Sequence, residues 1–167
     1  MFSFAIYDNR IFGNLIGKVV QSYEEELILV TNSGVGYQVF FSSRVGCGDH
    51  IEVFIKHIKR ENSEDLYGFL SFIEKRVFEL LLGVKGIGPK SAFSLVNQVG
   101  IEKLANAILF QEKKILTSVA GVGPKAAAQI LLDLGPKIEK IKSLLLERKS
   151  SSVGFETRIG EGHQEKM

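Results

Sequence analysis

Between residues 11 and 70 the apolar positions come in short runs rich in β-branched and aromatic side chains. The runs are Leu15–Val20, Leu27–Thr31, Val35–Phe41 and Ile51–Ile58, and turn-forming residues part them. Short strands at this spacing predict a small barrel. Asn32-Ser33-Gly34 supplies residues that tolerate positive φ and predicts a hairpin turn. Gly46-Cys47-Gly48-Asp49 predicts a second turn of the same kind.

The period changes after Phe69. From Phe72 to about Leu82 the apolar residues Phe72, Ile73, Val77, Phe78, Leu80 and Leu81 recur at helical spacing, with Glu74, Lys75, Arg76 and Glu79 on the other face. Further helices are predicted at about Pro89–Gln98, Ile101–Phe110, Glu112–Val119 and Pro124–Leu134, and a last one from Lys137 to about Arg148. Each proline falls at the first turn of its helix, where its missing N–H would have had no partner. Residues 149–167 are Ser, Gly and charged residues without period and are expected to be a disordered tail. The pattern therefore divides the chain into an N-terminal extension (1–10), a β-barrel (11–70), an all-α segment (71–148) and the tail, an α+β chain overall.

Composition narrows the function classes. Charged residues make up 24% and apolar ones 45%, the balance of a folded globular protein, and the net charge of +2 is too small to identify a nucleic-acid binder unless basic groups are clustered. One cysteine, Cys47, excludes an intramolecular disulfide framework and any CxxC motif. His50, His57 and His163 are scattered and lack metal-ligand spacing, so no metal is assigned. The apolar N-terminal stretch is shorter than a signal-peptide core, and no window approaches the roughly 18 to 20 apolar residues that span a bilayer; a cytoplasmic location is expected.

The helical segment contains an internal repeat. Val84-Lys85-Gly86-Ile87-Gly88-Pro89-Lys90-Ser91-Ala92 is followed 35 residues later by Val119-Ala120-Gly121-Val122-Gly123-Pro124-Lys125-Ala126-Ala127. Each copy joins two helices. Two glycines let the backbone reverse sharply and approach a ligand closely, while the apolar residue between them tucks inward. The backbone N–H groups left outward, with the positive end of the following helix, suit an anion such as phosphate. Lys90 and Lys125 add formal charge at the same place. Phosphates carry no base identity, so contacts of this type position a protein on DNA without reading sequence. Nucleotide-binding glycine motifs do not fit: Pro89 separates Gly88 from Lys90, unlike a Walker A loop, and neither copy has the third glycine of a dinucleotide fingerprint. No cofactor is implied.

The tandem turns resemble those of the RuvA family, the Holliday-junction-binding subunit of the bacterial branch-migration complex. The first seventy residues are similar too. Ile11-Phe12-Gly13-Asn14-Leu15-Ile16-Gly17 resembles the family's opening strand, Gly34-Val35-Gly36-Tyr37-Gln38-Val39 its barrel hairpin, and Leu66-Tyr67-Gly68-Phe69 the end of its barrel. The likeness covers about residues 11 to 148. It implies an N-terminal OB-type β-barrel followed by an all-α domain with two helix-hairpin-helix motifs. It also implies a homotetramer, or an octamer, that holds the four arms of junction DNA open, serving a RuvB-type AAA+ motor and a RuvC-type resolvase in recombination and repair without catalysis of its own. The residues it assigns to phosphate are Gly86, Ile87, Gly88, Lys90, Gly121, Val122, Gly123 and Lys125, with Arg60 beside an acidic pin made of Glu61, Asn62, Glu64 and Asp65. Carboxylates at a crossover would repel phosphates while basic groups around them attract, separating the strands.

The chain departs from the family at several points. Its pin has Glu61 followed by Asn62 where the family usually has two adjacent acids, so Glu64 or Asp65 would have to substitute. Asn14 and Ile16 replace basic residues of the opening strand, and Pro124 and Gln129 replace others in the second turn and its helix. No apolar-periodic segment after Leu146 corresponds to the family's motor-docking third domain, which leads us to expect a truncated or degenerate member with impaired motor recruitment.

Two other classes fit a helix-hairpin-helix turn. A glycosylase would need a catalytic aspartate beyond the turn, and Asp133 is the one candidate. A generic duplex-binding module would need no fourfold assembly. Phe4, Phe40, Phe41 and Phe54 are candidates for barrel core or intersubunit contacts.

Overall fold

A computed structural model of the protein describes residues 13–152. Five strands form a closed barrel: β1 (Asn14–Tyr23), β2 (Glu26–Thr31), β3 (Gly36–Phe40), β4 (His50–Lys59) and β5 (Glu64–Phe69), in the order β1-β2-β3-β5-β4. All pairings are antiparallel except β3 with β5, which meet at Phe40 and Tyr67. Alternation along each strand turns Leu15, Val19, Leu27, Leu29, Val39, Val53 and Ile55 into the barrel core. Two positions show how tightly it closes. A Cβ on Gly17 would lie 2.4 Å from the Val30 carbonyl oxygen, and one on Gly68 would lie 2.5 Å from Val53 Cγ1 and 2.6 Å from Val39 Cγ1.

Both expected turns are present, but only the first joins paired strands, β2 and β3; β3 and β4, on either side of the second, are not neighbours in the barrel. The Thr31 amide donates to the Val35 carbonyl oxygen with Gly34 at φ +81°, and the Gly46 amide donates to Asp49 Oδ2 with Gly48 at φ +101°. The strand pattern above leaves out β5. Its burial is not alternating, because Tyr67, Gly68 and Phe69 are all buried, with helices on one face and the barrel interior on the other.

Six α-helices follow: α1 (Phe72–Leu82), α2 (Pro89–Ser94), α3 (Ile101–Leu109), α4 (Lys113–Thr117), α5 (Pro124–Leu134) and α6 (Ile138–Ser152). A capping box starts α1: Ser71 Oγ accepts from the Glu74 amide, and Glu74 Oε2 accepts from the Ser71 amide. The expected single helix Pro89–Gln98 is instead α2 running into a π-helical turn, Leu95–Val99, that ends at Gly100 with φ +79°. Helix α6 continues to Ser152, so the tail boundary expected at residue 149 falls inside a helix; the rest of the tail, the N-terminal extension and Phe4 lie outside the described residues.

The barrel keeps its own core, while Tyr67 and Phe69 of its last strand belong to the core of the helices. Tyr67 and Phe69 of β5 contact Phe78 of α1 and Phe93 of α2, with ring centroids 5.0 to 5.8 Å apart, and Phe40 stacks on Tyr67 at 4.9 Å. Lys56 of β4 adds an ion pair to Glu79 of α1 at 3.6 Å. Phe41 is buried in the barrel, and Phe54 packs edge-on against Phe72. These contacts fix the orientation of the first hairpin against the barrel wall.

Candidate nucleic-acid interface

The two glycine turns have nearly the same backbone. Gly86 and Gly121 sit at φ +90° and +84°, a region that L side chains rarely occupy. The Ile87 amide donates to the Val84 carbonyl oxygen at 3.1 Å, and the Val122 amide donates to Val119 at the same distance. Gly88 and Gly123 are extended caps, and their carbonyls accept from Ala92 and Ala127 at 2.9 Å. Ile87 and Val122 are buried, as the inward tuck requires.

This geometry divides the work of the paired glycines. The first of each pair makes the reversal. The second has an ordinary negative φ, and a Cβ on it would meet nothing within 4 Å. Glycine there leaves open space on the outer side of the turn, where an external group can approach the main chain.

The amides of Ile87 and Val122 are used internally, so they are not the anion donors. The following ones are available: Gly88, Lys90 and Ser91 in the first copy, and Gly123, Lys125 and Ala126 in the second, make no amide hydrogen bond to the described residues. They are the orphan donors of a helix N-terminus, and α5, eleven residues long, adds the positive end of its dipole. Lys90 and Lys125 are exposed beside them, and neither takes part in an ion pair among the described residues. Ser91 Oγ donates to the Gly121 carbonyl oxygen at 3.3 Å, so the two turns lie side by side.

The family models divide the chain as the fold does. Residues 12–68 match the RuvA N terminal domain, and residues 78–136, which include both turns, match the SAM-like helix-hairpin-helix tandem. The chain is also similar to proteins named Holliday junction branch migration complex subunit RuvA. The protein of Halothermothrix orenii is 42% identical over 130 residues, covering 76% of this chain and 66% of the relative. That of Finegoldia magna is 34% identical over 133 residues, covering 77% and 67%. This chain belongs to the RuvA family. The Rickettsia bellii RuvA, 38% identical over 135 residues, covers 78% of the chain and 66% of its own length, so the match spans about two thirds of these relatives.

Against the RuvA resemblance, the pin residues separate into two groups. Glu61 and Asn62 occupy the exposed tip of the β4–β5 hairpin, which the Arg60 amide closes by donating to the Ser63 carbonyl oxygen at 2.8 Å. Glu64 and Asp65 already belong to β5. The Glu64 carboxylate lies 3.2 Å from both Lys59 Nζ and His57 Nε2, and the hydrogen bond and charge of Lys59 hold its pKa below the ordinary carboxylate value. Glu64 is therefore engaged along the strand pair, and Glu61 is the acidic group at the tip. Arg60 stands at that tip too, on the barrel rather than at either glycine turn.

The departures have structural partners. Asn14 donates to Glu52 across β1 and β4, and Ile16 is exposed on the outer face of β1. Gln129 donates to Asp133 at 2.8 Å along α5. Asp133 is thus held by its own helix, which gives no support to a glycosylase role. No group of His, Cys, Asp and Glu among the described residues could hold a metal ion, and no helix among them is long and apolar enough to cross a membrane.

Proposed function

We propose that this protein binds four-way junction DNA without sequence preference, as a tetrameric scaffold that supports branch migration by an ATP-driven partner motor. The observation that carries the reading is the pair of matched turns. Each presents outward amides and an unpaired lysine, and one hydrogen bond holds them side by side. Phosphates of one duplex arm would sit on Gly88, Lys90 and Ser91 and on Gly123, Lys125 and Ala126, with Gly86, Gly121, Ile87 and Val122 shaping the turns from beneath. The names of the relatives, subunits of a Holliday junction branch migration complex, favour the junction as substrate and further subunits as partners.

In this reading the barrel segment, about residues 11–70, gathers four subunits around the crossover, and residues 71–148 hold the arms. Glu61 at the hairpin tip repels phosphates at the centre, and Arg60 draws the departing strands. The role is binding rather than catalysis, in the cytoplasm. A gel shift comparing four-way, three-way and linear DNA of equal length tests it, with sedimentation of the complex. A discrete, intact complex with the four-way junction, formed at lower protein concentration than with linear DNA and containing four subunits, is expected. Equal affinity for all three DNAs, or a monomer on each, would replace the scaffold with a generic duplex-binding module.

A further inference from the structure

The β1–β2 turn approaches the first glycine turn. An open cleft of about 680 Å³ lies between barrel and helices, and its walls include Tyr23, Glu24 and Glu25 on one side and Lys90, Ser91 and Gly121 on the other. Glu24 and Glu25 are the two turn residues of a tight hairpin, in which Tyr23 pairs with Glu26 and Glu24 takes φ +51°. The Phe41 amide donates to the Glu25 carbonyl oxygen at 2.8 Å, which ties the hairpin to the end of β3. Glu24 and Glu25 are exposed, and neither is ion-paired to Lys90 among the described residues. Two acidic residues without an ion pair among the described residues therefore line a cleft whose opposite wall carries the first glycine turn and Lys90.

We propose that Glu24 and Glu25 are a specificity element that bars phosphate from this cleft, so that DNA held on the first turn runs past the cleft and not into it. A phosphate seated on Lys90 and Ser91 keeps its attraction to the turn. A backbone that continued from there into the cleft would bring its next charges against two exposed carboxylates, a like-charge repulsion that salt screens. Any duplex whose backbone runs from the first turn into the cleft meets this repulsion. The inference rests on the phosphate role of the first turn, but not on the junction as substrate.

The test is the affinity for a short linear duplex of the full chain, of the Glu24→Gln/Glu25→Gln variant and of a control, Glu102→Gln/Glu139→Gln, that removes the same charge from α3 and α6. The hairpin variant should bind linear duplex about threefold more tightly or better at low salt, with the gain fading as salt rises, and the control should gain less. Glu24→Lys/Glu25→Lys should go further in the same direction, which covers a hairpin disturbed by glutamine. Thermal melts check that each variant folds. Equal gains for hairpin variant and control, or no gain in a folded hairpin variant, overturn the proposal. Failure of the parent reading looks different: Lys90→Ala would then leave duplex binding unchanged.

Discussion

Ser91 and Gly121 join the two copies of the repeat: the serine hydroxyl donates to the glycine carbonyl oxygen at 3.3 Å, and a Cβ on Gly121 would lie 2.7 Å from that hydroxyl. The contact demands glycine at 121 twice over, for its φ of +84° and for the space. Gly86 has the same kind of φ but open surroundings. Alanine at 86 should cost about 1–2 kcal/mol from backbone strain alone, and alanine at 121 more.

A double-mutant cycle isolates the second requirement. Ser91→Ala alone should lose about 0.5 kcal/mol, the low end for a long, exposed hydrogen bond. Combined with Gly121→Ala it should relieve part of that variant's loss, so that the double variant is more stable than the sum predicts. Urea unfolding measures all three, and strict additivity would show that the clash is absorbed elsewhere.

The second glycine of each pair gives the opposite signature. Gly88→Ala and Gly123→Ala meet no atom within 4 Å and keep an ordinary φ, so they should lose no more than about 1 kcal/mol, the usual cost of alanine at an N-cap. Their DNA affinity should fall several-fold, because the new methyl group occupies the approach to the free amides. Paired melting and gel-shift measurements separate the two effects.

Replacing Lys90 or Lys125 by Ala should weaken binding to all DNA sequences about equally and reduce the slope of log affinity against log salt by about one unit. Titrations on two unrelated duplexes over a salt series would expose any sequence-selective loss, which a phosphate contact cannot produce.

Gly68→Ala tests the barrel rather than the grip. The added methyl would press on Val39 and Val53 inside a closed sheet, and overpacking of this kind costs about 1–3 kcal/mol. A thermal melt should show a clear loss of stability.

The Glu64 carboxyl has its pKa lowered in the folded state, mainly by Lys59. The stability it contributes is therefore present above the unfolded-state pKa and is lost as pH falls through the lower folded value. The contribution is small and salt-sensitive because the pair is exposed. Lys59→Ala should move the Glu64 titration, followed by NMR, back toward the ordinary carboxylate range.

Much of this architecture was legible in the chain. Strands β1 to β4 carry β-branched runs, and α1 and α5 have the predicted bounds because a serine cap, a proline at the first turn and a clean helical period mark them. The repeat located both turns. Strand β5 escaped periodicity because it is covered on two sides, and its start, Glu64-Asp65, looks like loop. The π-helical turn after Ser94 has no local signature. Nor does the Ser91–Gly121 bond or the cleft beside Glu24, since both join segments far apart in sequence. The sequence also suggested that Glu64 or Asp65 could serve at the pin tip, whereas pairing with Ile58 and Lys59 draws both into the sheet.

The aromatic joint bears on how the molecule can be taken apart. Tyr67 and Phe69 are strand residues whose rings lie against helical ones, so no natural cutting point exists near residue 70. A fragment ending there would carry two bare rings into water, and the complementary piece would lose the wall that Phe78 and Phe93 rest on. Although the barrel keeps a core of its own, protease trimming or gene splitting at that point should yield sticky fragments, because each would expose its side of the aromatic joint.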